Sequence, residues 1–297
     1  MFRVFVGLVD AEGYNLGTAG PGVAEGTLVS PYLIRYAQSA EIGLPERTVV
    51  DFTGGDVWTG SYVYGITSLG TFEMTLSTVE ADLIAFLSGS TVDGTSNDRQ
   101  TIFSDNVMVP TPPQAWMMIV FRIQSKEVGQ KGANKFLTLI LPRTWVSPKG
   151  ISGAPSFQQQ GTYGFTIVPT VGDRFPWGLP FSCTNLNLEQ DETPVLYLIT
   201  DYPVHTVGYI AGAGNATETI TLPFKPVGDD IAAPDSSLDP VQTFIDGRVT
   251  NADSVVVSTG EVVVSPIAPA ATFTGGEYIG VFYETSYVPT ASTSTVC

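Results

Sequence analysis

The chain has 297 residues and a hydrophobic content of 43%, enough for one large or two medium domains with a substantial core. Only 14% of residues are charged, while 31 Gly and 21 Pro accompany many Thr, Val and aromatic residues. That is the composition of short strands joined by tight turns, so the expected fold is mainly β. The net charge of -16 argues against ordinary nucleic-acid binding, which relies on Lys and Arg to neutralise phosphates.

The first strand is predicted over 2–9, in "MFRVFVGLVDAEGYN". This start has no extended apolar region with a small-residue cleavage site, so no secretory signal is expected. Further strands are predicted at 32–41, 48–52, 60–67 and 69–76. The stretch "TFEMTLSTVEADLIAFLSG" then changes period. Phe72, Met74 and Leu76 alternate as in a half-buried strand, whereas Val79, Leu83, Phe86 and Leu87 recur as on one face of a helix. Ser77 and Glu80 form a capping box and Gly89 a stop, so a helix is predicted over about 78–88, with its apolar stripe packed on a sheet.

A polar, then proline-rich connection spans 93–113. Beyond it, "WMMIVFRIQ" and "KFLTLILPRTWV" fall in strands predicted at 115–124 and 135–147, a central antiparallel pair joined by a tip carrying Lys126 and Lys131, with Lys135 just after it. Pro142 removes a ladder donor and suggests a bulge or an edge. Another strand is predicted at 161–169. The longest apolar run, Ala115 to Phe121, is far short of the roughly 20 residues of a spanning helix, so no membrane crossing is expected.

The break at "NLNLEQDETP" suggests a linker over 186–194, which divides residues 1–185 from a second, smaller all-β sandwich over 195–297. Charge divides the chain at the same place. Residues 1–185 carry 15 acidic and 11 basic side chains, and residues 186–297 carry 14 acidic and 2 basic. Cys183 and Cys297 are the only cysteines and are read as two free thiols, with synthesis in a reducing compartment.

The traces of catalysis are weak, and no enzymatic activity and no cofactor are expected. His205 is the only histidine and no G-x-S-x-G elbow accompanies it, so it is read as a surface or packed residue. "DFTGGD" at 51–56 is read as a Gly-Gly turn rather than half of an aspartic-protease dyad. "GAGNATET" lacks the third glycine of a dinucleotide loop and is read as a turn between strands. Asp229, Asp230, Asp235 and Asp239 lack the spacing of a calcium loop, and Asn215-Ala216-Thr217 is a sequon that matters only in a secreted chain.

A strand running into a single helix ("FEMTLSTVEADLIAFLSG"), a long loop, a central hairpin and then "GTYGFTIVPT" resembles the phage tail tube protein family. "LIRYAQSAEIGLPERTVVDFTGGDVWTGSYVYG" is similar to that family's strand, long protruding loop and returning strand, and the resemblance covers about residues 1–185. It implies a tail-tube-like β-sandwich or barrel with one flanking helix, and a virion protein of the phage tail, made in the host cytoplasm. Subunits would close into rings, usually hexamers, stacked as a tube through which DNA leaves the capsid. The tape measure and the tail terminator or distal tail proteins would be partners besides other copies of the chain. The loop between Gly43 and Gly60 would reach a neighbouring ring.

Residues 1–125 hold 13 acidic and 5 basic side chains, and a carboxylate-lined lumen would let DNA slide without capture. Glu41, Asp51, Asp56 and Glu73 are the lumen candidates. Arg47, Trp58, Tyr62, Lys126, Lys131 and Lys135 are candidates for contacts between subunits or rings, the lysines meeting acidic patches on a neighbour. Residues 195–297 are read as an extra, Ig-like domain on the outside of the tube. The competing reading is a cell-surface or phage β-sandwich that binds receptors or glycans, with Trp58, Tyr62, Trp145 and Trp177 as an aromatic platform. A hydrolase is the third.

Overall fold

The structure is a computed structural model that describes residues 2–9, 15–17, 23–34, 37–42, 46–54, 57–68, 72–76, 83, 86–87, 91–93, 102–104, 113–125, 133–152, 162–170, 195–228, 230, 241–246 and 248–286. It is mainly β, with curled antiparallel sheets and almost no helix. In chain order the strands are β1 (Phe2–Val9), β2 (Asn15–Gly17), β3 (Thr27–Val29), β4 (Tyr32–Ile34), β5 (Ala37–Ile42), β6 (Glu46–Gly54), β7 (Val57–Ser68) and β8 (Phe72–Leu76). There follow β9 (Thr91–Asp93), β10 (Ile102–Ser104), β11 (Gln114–Ser125), β12 (Ala133–Ser152), β13 (Thr162–Thr170) and β14 (Leu196–Thr200). The remaining strands are β15 (Val204–Ile210), β16 (Glu218–Thr221), β17 (Val241–Ile245), β18 (Arg248–Thr250), β19 (Ser254–Val256), β20 (Glu261–Val264) and β21 (Tyr278–Glu284).

Two compact units result, and the linker expected at 186–194 lies outside the described residues. One comprises Met1–Arg35, Pro113–Arg143 and Val171–Cys297; the other comprises Tyr36–Pro112 and Thr144–Thr170. The ends of the first 185 residues therefore fold with the C-terminal region. Strand pairing between distant segments decides this, and local composition does not register it.

In the first unit, β1 lies between β2 and β11, and also pairs with β4. β12 is the neighbour of β11, as the apolarity of both strands suggests, and β14 pairs with β12 from Phe136↔Thr200 to Ile140↔Leu196. That ladder ends where β14 begins, at Leu196, and β12 runs on through Pro142 to Ser152. A second sheet has the order β18-β17-β21-β15-β3, and a third the order β16-β20-β19. β3, from the N-terminal region, forms the edge of the second sheet through Gly208↔Val29 to Ile210↔Thr27.

The second sheet is covered on both faces. Phe244, Phe282 and Val204 point into one cluster with Phe5, Trp116, Met118, Val120 and Ile140 of the first sheet. Their strand neighbours Ile245, Val281, Tyr283 and Val207 point the other way, into a cluster with Ile220, Leu222, Val255, Val262 and Val264. Period-two alternation thus feeds two cores, and "YIGVFY" is buried at every position. Each fully buried large side chain contributes about 1.5–3 kcal/mol.

In the other unit, β8 pairs with β13 and β5. Phe72, Met74 and Leu76 are buried, as their alternation predicts, and Phe165 and Ile167 of β13 lie opposite Met74 and Phe72. The flanking helix expected over about 78–88 is not seen. Helical backbone occurs among the described residues at Leu83, Phe86 and Leu87 alone, and the capping-box residues Ser77 and Glu80, with Val79, lie outside them. Leu83 and Leu87 are buried and Phe86 is half-buried. The loop expected between Gly43 and Gly60 is instead mostly strand: β6 and β7 pair from Glu46↔Ser68 to Gly54↔Val57, with three register shifts. Gly55 and Asp56 of "DFTGGD" lie outside the described residues.

Gly208 shows how tightly the second sheet is packed. A Cβ there would stand 2.5 Å from the ring of Tyr278, so Gly208→Ala must displace that aromatic side chain. The substitution is expected to cost about 1–3 kcal/mol, read as a lower urea midpoint with an unchanged slope.

Candidate functional site

Three of the lumen candidates, Glu41, Glu73 and Asp51, fall on the β5–β8 and β6–β7 pairs. Glu41 stands directly opposite Glu73 in the ladder, and Glu73 is exposed between buried Phe72 and Met74. Two acidic positions on one rung are unfavourable for the pair taken alone. Asp51 is opposite Ser61 in β6–β7, and Asp56 lies outside the described residues. Arg47, Trp58 and Tyr62 are strand positions of the same hairpin, opposite Ile66, Thr53 and Val50. Lys126, Lys131 and Trp177 lie outside the described residues, and Trp145 is half-buried in β12.

Lys135, a candidate for contact with an acidic patch on a neighbour, has a partner within the chain. Its ammonium makes an ion pair with Asp201 of its own chain. Register explains this: Phe136 faces Thr200 across β12 and β14, so the next residue along each strand also meets.

Sequence reasoning did not anticipate the surroundings of this pair. Asp201 belongs to the turn between β14 and β15, which three hydrogen bonds fix. The Thr200 hydroxyl donates to the Tyr202 carbonyl at 2.6 Å, the Tyr202 N–H donates to the Glu284 carboxylate at 3.1 Å, and the Thr285 N–H donates to the Pro203 carbonyl at 2.9 Å. Glu284 ends β21 and is half-buried. Burial pushes its carboxyl above the ordinary range; the Tyr202 N–H opposes this, the Asp201 charge adds to it, and the Lys135 charge offsets it. Three strands thus bring Lys135, Asp201 and Glu284 to one place, although they are scattered along the chain. The one signal in the sequence was the alternation of "LYLIT" just before Asp201.

His205 is a core residue. It is fully buried among the rings of Phe5 at 4.7 Å, Phe224 at 4.9 Å and Tyr283 at 5.3 Å. Neither ring nitrogen has a hydrogen-bond partner among the described residues. Burial, and then the charge of Arg3, lower its pKa to about 3, so the imidazole is neutral at physiological pH.

The "GAGNATET" segment is a turn between β15 and β16, with Gly214 at φ 81°. The buried Glu218 organises it. Its carboxylate accepts from the Tyr209 hydroxyl at 3.0 Å, the Gly212 N–H at 2.6 Å and the Asn215 amide at 3.0 Å. Burial raises the Tyr209 pKa, and its bond to the Glu218 charge raises it further. Nearby, Glu277 accepts from the N–H and hydroxyl of Thr274 and from the Gly275 N–H. Burial pushes its carboxyl up, but these bonds and one from its own N–H hold it below the ordinary range. The carboxylates are spent on backbone donors, and no group of three or more His, Cys, Asp or Glu among the described residues could hold a metal ion. In the acidic run, Asp230 accepts from the Val257 N–H at 2.7 Å.

No protein-family model matches the chain, and no curated protein matches it.

Two predictions test these assignments. A folded pKa of about 3 against 6.5 means that the unfolded chain takes up a proton at His205 first. The stabilisation is complete above pH 6.5 and is lost as pH falls toward 3, at up to about 1.4 kcal/mol per pH unit. His205→Phe should remove that slope, measured as the difference between wild-type and variant unfolding free energies from pH 7 to 4. Glu218→Ala should cost about 2 kcal/mol because three donors lose their acceptor, and Glu218→Gln less, both by chemical denaturation.

Proposed function

We propose that this chain is a structural virion protein that assembles with copies of itself into stacked rings, forming the tail tube of a phage. The observation that carries the reading is the β6–β7 hairpin. Its strands have 9 and 12 residues, and they pair with no other strand among the described residues. A two-stranded ribbon is marginal in water by itself. This one includes Val49, Val50, Phe52, Val57, Trp58, Tyr62, Val63 and Ile66, a composition suited to a covered sheet rather than a free arm. A neighbouring subunit supplies the cover, and closure of the ring removes the open edges.

On this reading the rings are hexameric and the lumen is lined by Glu41, Asp51, Asp56 and Glu73, past which DNA moves without capture. The acidic C-terminal strands face outward as an Ig-like layer. The tape measure and the tail terminator or distal proteins meet the tube at its bore and its ends. The chain performs no catalysis.

Negative-stain microscopy of the purified chain should show rings or tubes. A dispersed monomer across salt and protein concentration would overturn the reading, and glycan binding by that monomer would favour an adhesin. Replacing Glu41, Asp51, Asp56 and Glu73 by Lys should leave assembly intact and slow DNA ejection from assembled particles. Unchanged ejection would place those carboxylates elsewhere.

A further inference from the structure

We infer that the open edge of β14 receives β7 of a neighbouring copy, adding a strand to the sheet across the subunit boundary. Three of the five large apolar side chains exposed among the described residues lie here: Tyr197 (47%), Ile199 (59%) and Tyr202 (43%). β14 turns Leu196 and Leu198 onto the core cluster that holds Phe5 and Trp116. Its alternate residues Tyr197 and Ile199 lie on the other face, opposite Leu139 and Leu137 of β12. Among the described residues β14 pairs with β12 alone, so its other edge keeps unpaired backbone N–H and C=O groups beside an apolar face. Such an edge is a template for another strand.

Charge selects the strand that fits. Open edges are ordinarily blunted by charged side chains or kept very short. Of the described strands with an open edge, β2, β3, β4, β9, β10, β18 and β19 have three residues, and β16 has four, including Glu218. β5 carries Glu41, and β6 carries Glu46, Arg47 and Asp51. Among the described residues, only β14, "LYLIT", and β7, "VWTGSYVYGITS", have an open edge of five residues or more and no charged side chain. In a chain of net charge -16, these are the two edges that separate copies can bring together without repulsion or a buried unpaired charge. β7 spans the five rungs of β14, and Trp58, Tyr62, Tyr64 and Ile66 are the aromatic and β-branched types that make favourable cross-strand pairs with Tyr197 and Ile199.

Tyr197 and Ile199 are exposed within the chain, so their cover comes from outside it. A contact over five rungs falls short of the roughly 1,200 Å² that a stable interface buries, so it does not hold two free copies together. It acts where subunits are already adjacent and their effective concentration is high. The inference therefore rests on the ring reading, and it gives the β6–β7 hairpin its acceptor.

Photo-cross-linking of the assembled full chain tests this. Copies with benzoylphenylalanine in place of Ile199 are mixed with isotopically heavy wild type, assembled and irradiated. The cross-link should join position 199 to a heavy peptide within Val57–Ser68. A link to β14 of the other copy, to any other segment or within one chain overturns the proposal, as does the absence of a link. Ile199→Lys places a charge on the edge and, with an unchanged circular dichroism spectrum, should raise the concentration at which rings form by roughly tenfold or more. An unchanged threshold overturns this inference and leaves the ring reading standing. A wild type that forms no rings at any concentration overturns both.

Discussion

The five-stranded sheet β18-β17-β21-β15-β3 is the constraint on which the larger unit depends, because both of its faces are buried. A sheet in that position has little surface to give to water, so its central strands are buried along most of their length and their backbone polar groups must be paired. β21 meets both demands. It pairs with β15 along its whole length and with β17 from Val241↔Tyr283 to Ile245↔Ile279. His205 belongs here too: as a neutral ring among Phe5, Phe224 and Tyr283 it serves as an aromatic packing element, and its acid-base chemistry is suppressed.

The acidic character of the C-terminal region takes on a structural meaning once the contacts are known. Glu218, Glu277 and Asp230 each accept backbone N–H groups at turns, so part of the negative charge caps loops that would otherwise leave donors unsatisfied. Glu25 extends the pattern by accepting from the Ala213 N–H, which ties the N-terminal segment to the same turn that Glu218 organises. Net charge counts such residues as a surface field, whereas several of them act locally. The electrostatic part of the tube proposal therefore rests on Glu41, Asp51, Asp56 and Glu73 and not on the whole chain's charge.

Lys135 makes the same point for a cation. As one of three lysines near a hairpin it reads as a contact for another subunit, yet the β12–β14 register directs it to Asp201. Charge density in a sequence says that a partner of opposite sign is needed. It does not say whether that partner is in the same chain, because β12 and β14 are brought together only by folding.

Long strands were legible from alternation and apolarity. The expected 2–9, 115–124 and 161–169 correspond to Phe2–Val9, Gln114–Ser125 and Thr162–Thr170, since each spans enough residues for its period to stand out. The turn at 211–217 was legible for a local reason, through Gly conformation. Three-residue strands such as Thr27–Val29 carry no period and are strands because Gly208 to Ile210 offer an edge. The capping box and stripe at 77–87 gave a local case for a helix, but three helical positions do not define one. Sequence by itself determined the β class, the long strands and their buried faces, all of which depend on residues close together in the chain. Only the tertiary structure decided that residues 1–35 and 113–143 fold with 171–297, and that Lys135, Asp201 and Glu284 meet, because pairing between distant strands leaves no local trace.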